Sequence, residues 1–210
     1  MRTESVLQKS LCANIVKYLT KKLIRDLDFQ LRNGEILAEE RGAVIIANHQ
    51  SSLDILGLFH IWNTINKMVV ISKVQLFYLW PFGLMAYLSG VVFINRTNNK
   101  KSYEQFDETI KVIMKEKTKM FIFPEGTRNN SNKSIMPFKK GAFNTAVKAQ
   151  VPIIPIVYSP YYFIDSKKYI FNKGRIIIQC LDPVPTAGLT MDDVPQLSEK
   201  LHKIISDAFH

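Results

Sequence analysis

His49 and Asp54 stand five residues apart in the stretch NHQSSLD, Asn48–Asp54, between the apolar runs AVIIA and ILGLFHIW. A histidine titrates near neutral pH, so one ring nitrogen can take a proton from a hydroxyl while a carboxylate on the other nitrogen fixes the tautomer. On a continuous helix this spacing would turn the two residues about 140° apart. They converge only if His49 lies in a turn and Asp54 in the first turn of a helix. Ser51 as N-cap, with Ser51-x-x-Asp54 as a capping box, supplies that geometry, and the capping box alone also accounts for an aspartate at position 54.

Two arginines are placed for a second kind of chemistry. In FPEGTR, Phe123–Arg128, Pro124 ends the preceding apolar run, Gly126 permits close backbone approach, and Arg128 is delivered past a strand end. GVVFINR, Gly90–Arg96, delivers Arg96 in the same way. Two guanidinium groups at strand ends suit bidentate binding of a phosphate, while either one alone reads equally as a solvated surface charge. FKKG adds Lys139 and Lys140 ahead of a helix-like stretch whose N-terminus favours anions, with a solvated basic turn as the competing reading.

The elements that must position these residues are legible as apolar runs. AVIIA (Ala43–Ala47), MVVIS (Met68–Ser72), VVFI (Val91–Ile94), MFIF (Met120–Phe123), IIPIVY (Ile153–Tyr158) and RIIIQC (Arg175–Cys180) read as strands, and Ser102–Lys117 and Lys140–Ala149 read as helices. The alternation predicts a single α/β domain with a mixed central sheet flanked by helices, whose ligand crevice lies at the carboxyl ends of strands, where His49 falls. Asn33-Gly34, within DFQLRNGEIL, carries a two-residue hairpin signal.

Membrane contact is suggested twice. Leu7, Leu11, Ile15, Leu19 and Leu23 form a stripe with lysines beside it, an amphipathic helix that either packs on the domain or lies in a membrane interface. Lys9, Lys17, Lys21 and Lys22 interrupt it, so it is read as neither a signal peptide nor a span. Val74–Ile94 has no charged residue and is long enough to cross a bilayer, but WPFG and Gly90 break a continuous helix.

With 210 residues, the chain suits one hydrophobic core. A formal net charge of +10 favours anionic partners, whether nucleic acid, membrane surface or phosphorylated small molecules. Cys12 and Cys180 offer neither a disulfide framework nor metal spacing, and His60, His202 and His210 add no ligand spacing around His49, so no metal is expected. A serine hydrolase built on Ser51 or Ser52 with His49 and Asp54 would lack the G-x-S-x-G elbow. A basic lipid-binding or nucleic-acid-binding module, motivated by KEKTK (Lys115–Lys119), would lack a recognisable nucleic-acid motif.

Taken in order, NHQSSLD, GVVFINR, FPEGTR and VPIIPI (Val151–Ile156) resemble the sequence blocks of the glycerolipid acyltransferase family, and within it the 1-acyl-sn-glycerol-3-phosphate acyltransferases of animals. The similarity runs from about Asp28 to the C-terminus. The resemblance implies that His49 is a general base oriented by Asp54, and that the sn-2 hydroxyl of lysophosphatidic acid attacks the thioester of acyl-CoA. Phosphatidic acid and CoA would result, with no acyl-enzyme and no cofactor beyond the co-substrate acyl-CoA. It assigns Arg96, Arg128, Glu125, Gly126 and Thr127 to the acceptor phosphate, together with Lys73 in ISKVQL, where Val74 and Gln75 depart from the family pattern.

The resemblance implies an acyltransferase domain over residues 28–210, and the amphipathic stripe ahead of it, where many members of the family carry hydrophobic membrane helices, is read as a membrane-associating segment at 1–27. Attachment is expected to be peripheral or monotopic, through residues 5–25 and 74–94, at the endoplasmic reticulum, with no nucleic-acid partner. The same motifs occur in enzymes acting on glycerol 3-phosphate or on other lysophospholipids, so the acceptor stays open at this point.

Overall fold

The computed structural model describes residues 27–65, 67–78, 82–88, 91–94, 110–111, 115–129, 134–165, 168 and 170–209. The amphipathic stripe at 5–25, Arg96 and most of the expected helix at 102–117 lie outside the described residues.

Seven strands form the main sheet: β1 (Leu27–Arg32), β2 (Ala43–Ala47), β3 (Met68–Lys73), β4 (Val92–Ile94), β5 (Lys119–Ile122), β6 (Ile153–Tyr158) and β9 (Gly174–Cys180), in the order β1-β9-β6-β2-β5-β3-β4. β2 through β6 run parallel; β9 joins β6 antiparallel and β1 joins β9 parallel, so these two run the other way. The sheet is therefore mixed, as the sequence predicts. The carboxyl ends of β2, β3, β5 and β6 share one edge, and from it emerge His49, Lys73, the FPEGTR turn and the segment after Tyr158.

Every residue of β2 and β6 is buried. Such strands read as unbroken apolar runs because helices cover both faces of a parallel sheet. Side chains alternate across a strand, so β2 feeds two cores. Ala43, Ile45 and Ala47 pack with Leu58, Phe59 and Ile61 of α2 (Asp54–Ile61). Val44 and Ile46 pack with Phe143 and Val147 of α4 (Gly141–Ala149) and with Leu201 and Ile205 of α5 (Val194–Phe209).

Two expectations are corrected. Asn33-Gly34 does not close a hairpin: that turn requires positive φ at both residues, and Asn33 has φ 54° but Gly34 has φ −66°. The chain instead enters α1 (Glu35–Ala38), which buries Leu37, while β1 pairs with the distant β9, Leu27 opposite Gly174. The uncharged stretch 74–94 is broken, as WPFG and Gly90 predict, and its described residues form a 3-10 turn at Val74–Tyr78, α3 (Phe82–Leu88) and β4. Gly83 lets the turn press onto α3, since a Cβ there would sit 1.8 Å from the Phe77 carbonyl oxygen. Among the described residues no helix is long and apolar enough to cross a membrane. The second correction, to the Ser51 cap, belongs with the site.

Candidate active site

β2 ends at Ala47, but its pairing with β6 continues through a side chain. Asn48 Nδ2 donates to the Tyr158 carbonyl at 3.0 Å, and Asn48 Oδ1 accepts the Tyr158 N–H at 2.8 Å. The backbone thus leaves the sheet at a fixed angle. His49 N–H then donates to Glu125 Oε1 at 2.6 Å, and the His49 carbonyl accepts Asn129 N–H at 2.7 Å. Its ring stacks on Phe123, centroids 4.0 Å apart at 15°.

His49 Nδ1 lies 2.6 Å from Asp54 Oδ2, bringing together the two residues expected to act as a pair. The Asp54 side chain is fully enclosed, whereas 16% of the His49 side chain is exposed. Asp54 Oδ2 also accepts the N–H groups of Gln50 at 2.7 Å and Ser51 at 3.0 Å, and its Oδ1 accepts the hydroxyl of Tyr161. Four donors on one buried carboxylate compensate its desolvation. A carboxylate so placed makes Nδ1 the protonated nitrogen, leaving Nε2 to accept a proton.

The cap differs from the expected box. The residue preceding α2 is Leu53, with no side-chain cap, and Ser51 Oγ accepts Leu53 N–H at 3.3 Å rather than Asp54 N–H. Only the returning half exists, from Asp54 to Ser51 N–H, because the aspartate is drawn inward by His49 and Tyr161 and the helix starts late.

Residues of FPEGTR divide by burial. Gly126, at φ 72°, makes the tight turn, its N–H bonded to the Phe123 carbonyl at 3.1 Å. Glu125 is buried, and its oxygens accept His49 N–H at 2.6 Å and Met136 N–H at 3.0 Å. Burial pushes its carboxyl above the ordinary range, partly offset by those two N–H donors. Glu125 therefore braces the His49 backbone from within the FPEGTR turn. Thr127 and Arg128 are exposed, and Arg128 Nη1 donates to Ser52 Oγ at 2.6 Å, beside the His49 turn.

Lys73 is exposed at the end of β3, two strands from β2. Lys139 and Lys140 are exposed ahead of α4, and Lys139 N–H bonds the Pro124 carbonyl at 2.8 Å, tying this basic turn to the FPEGTR turn. Both hydroxyls of a serine-based site are engaged elsewhere, Ser51 with Leu53 and Ser52 with Arg128, and neither bonds His49. Among the described residues there is no cluster of three or more potential metal-ligating side chains.

Sequence reasoning missed three parts of the site. Asn48 and Gln50 stood inside the quoted stretch without a role; Gln50 Nε2 donates to the carbonyls of Tyr158 at 3.2 Å and Ser159 at 3.0 Å. Tyr161 lies 107 residues from Asp54, beyond any local spacing rule. Burial and the neighbouring Asp54 hold its phenol well above its usual range, so it remains a donor. A groove of about 650 Å3 lined by Pro183, Val184, Lys200 and Ile204 lies at the opposite edge of the sheet and contains none of these residues.

A family model described as Acyltransferase matches residues 28–159. Human 1-acyl-sn-glycerol-3-phosphate acyltransferase beta is 42% identical over 189 residues, covering 90% of this chain and 67% of that protein. The human alpha protein of the same name is 37% identical over 189 residues, covering 90% of this chain and 66% of that protein. The chain thus spans about two thirds of the length of these relatives. The crystal structure of the 1-acyl-sn-glycerophosphate acyltransferase PlsC from Thermotoga maritima superposes with a TM-score of 0.74 over 100% of this chain and 83% of that one, at 20% identity, a likeness of fold.

Proposed function

The chain belongs to the acyltransferase family, and on that premise we propose that it acylates the sn-2 hydroxyl of 1-acyl-sn-glycerol 3-phosphate, lysophosphatidic acid, giving phosphatidic acid. The observation that carries the reading is the His49 Nδ1 to Asp54 contact of 2.6 Å, with Arg128 bonded to the same turn through Ser52. Acyl-CoA is the donor. His49 Nε2 takes the hydroxyl proton as the oxygen attacks the thioester carbon; the new C–O ester bond forms, the C–S bond breaks, and the proton passes to the departing CoA thiolate. Asp54 stabilises the imidazolium that exists between these steps. The acceptor hydroxyl is itself the nucleophile, so the reaction requires no acyl-enzyme, and no cofactor beyond the co-substrate enters.

Arg128, Arg96, Lys73 and the Gly126–Thr127 turn bind the acceptor phosphate. A terminal phosphomonoester suits two arginines better than a bulky diester headgroup does, which favours lysophosphatidic acid over other lysophospholipids. Lys139 and Lys140 steer the anionic groups of CoA. Residues 1–27 form a membrane-associating segment ahead of the acyltransferase domain at 28–210. Attachment to the endoplasmic reticulum membrane is peripheral or monotopic, through residues 5–25 and the 74–94 segment, where Phe77, Tyr78, Leu84 and Tyr87 are exposed.

The test is release of CoA from oleoyl-CoA by membranes containing the protein, with and without lysophosphatidic acid. Acceptor-dependent release that falls about 100-fold or more in His49→Ala supports the reaction and its base. Turnover of another acceptor but not this one would overturn the substrate. Undiminished release in His49→Ala would overturn the mechanism.

A further inference from the structure

Between β6 and β9 the chain makes a separate two-stranded antiparallel hairpin, β7 (Ile164–Asp165) with β8 (Ile170–Phe171). Its root is locked into the domain. Tyr161 is buried on Asp54, and Phe163 is buried over Gly174, where a Cβ would lie 2.0 Å from the Phe163 ring. The residues between and beyond these anchors are exposed, Tyr162 by 75%, Phe171 by 49% and Ile170 by 41%, with Tyr162 and Phe171 resting edge-on against Phe163. Strands of two residues contribute little pairing of their own, so fold stability does not explain three large apolar side chains facing water.

The charge around them has one dominant sign. From Pro160 to Arg175 the sequence carries Lys167, Lys168, Lys173 and Arg175 against Asp165. Lys168, Lys173 and Arg175 are exposed, and Arg175 pairs with Asp28 of β1 at 2.8 Å, so the excess positive charge of this segment is carried by its lysines. Across the same sheet edge, on the far side of β2, lies the second exposed apolar group, Phe77, Tyr78, Leu84 and Tyr87. His49 leaves the sheet between the two.

We propose that the β7–β8 hairpin is a docking element for an anionic phospholipid surface, and that with the 74–88 patch it seats the carboxyl edge of the sheet on the bilayer. Tyrosine suits this place because its ring is apolar and its hydroxyl stays in the headgroup layer. Lysines around an apolar tip are drawn to anionic lipid. A protein partner would find no such excess of one charge useful unless it were itself acidic, whereas the acceptor in the proposed reaction is an anionic lipid. The inference rests on that reaction for the choice of lipid and on the hairpin geometry for the surface.

The experiment uses full-length protein and vesicles of equal parts phosphatidylcholine and phosphatidylserine. The combined Tyr162→Ser, Ile170→Ser, Phe171→Ser variant is expected to lose about tenfold or more in vesicle affinity, the order expected when burial of apolar side chains is removed. Turnover of a short-chain, water-soluble lysophosphatidic acid without vesicles should stay within about twofold of the parent, so this readout reports the reaction and the vesicle readout reports docking. Vesicle affinity equal to the parent overturns the proposal. If the triple variant loses soluble turnover as well, the conservative Tyr162→Trp protein decides. The difference in emission between this variant and the parent, which already carries Trp62 and Trp80, supports docking if it shifts to the blue and is quenched by brominated lipid only when vesicles are added. A difference spectrum already blue-shifted in buffer and unchanged by vesicles overturns it, in favour of cover by another segment of this chain or a second copy.

Discussion

Asp54 is enclosed, with four donors on its two oxygens, whereas Arg128 is exposed and meets the same turn through a single bond from Nη1 to Ser52 Oγ. The contrast follows from what each end must do. A base that removes a proton in the transition state acts only within hydrogen-bond reach and correct alignment, so small displacements are costly. Capture of a phosphate rests on charge, which falls off slowly with distance and tolerates a mobile side chain. Rigidity is concentrated at the chemical end of the site and reach at the binding end.

His49→Ala is the strongest test of that division. It should cut kcat by about 100-fold to 10,000-fold, with little change in KM for lysophosphatidic acid. Arg128→Ala should instead raise that KM about tenfold, the worth of a charge-assisted bond, while leaving most of kcat. If the arginine variant lost kcat as the histidine variant does, the two ends would be one unit and the contrast would fail. Tyr161→Phe sharpens it: steady-state assays should show kcat lower by about three- to tenfold.

Glu125→Gln gives a smaller effect, read as stability. Both oxygens of Glu125 accept backbone N–H groups, so an amide nitrogen in place of one of them meets a donor, at a cost of about 1–3 kcal/mol. Burial raises the Glu125 carboxyl above its ordinary value. A raised folded-state value means that the group's contribution is complete below its unfolded value and is lost as pH rises through the folded one. Wild type loses that contribution over the window just above the ordinary carboxylate range and the glutamine variant does not. Thermal melts across that window should therefore show the gap between them narrowing as pH rises.

Much of this molecule was legible because burial on both faces of a parallel sheet writes continuous apolar runs, and IIPIVY and AVIIA coincide with β6 and β2 to the residue. MFIF was offset by one, since β5 begins at Lys119, a buried lysine whose amine reaches the Glu39 carbonyl at 2.5 Å. A charged residue in a core position hides from a hydrophobic pattern. Helix α5 went unread although Leu197, Leu201 and Ile205 recur every fourth residue and Thr190 and Asp193 form a capping box before it. Its signal was present and local. Glu125 and Tyr161 are of another kind. Which way a carboxylate faces, and which tyrosine closes on Asp54 from the loop after β6, are decided by tertiary approach, and no spacing within one segment encodes them.

The clasp between Asn48 and the Tyr158 backbone separates two histories within one chain. Because the amide secures the end of β2 directly to β6, the exit of His49 is set before the chain reaches Tyr161 and the excursion beyond it. Insertions, deletions or changes of charge from Ile164 to Lys173 can accumulate without shifting the base. That excursion is where such a scaffold can be retuned to a different lipid mixture while its chemistry is inherited unchanged.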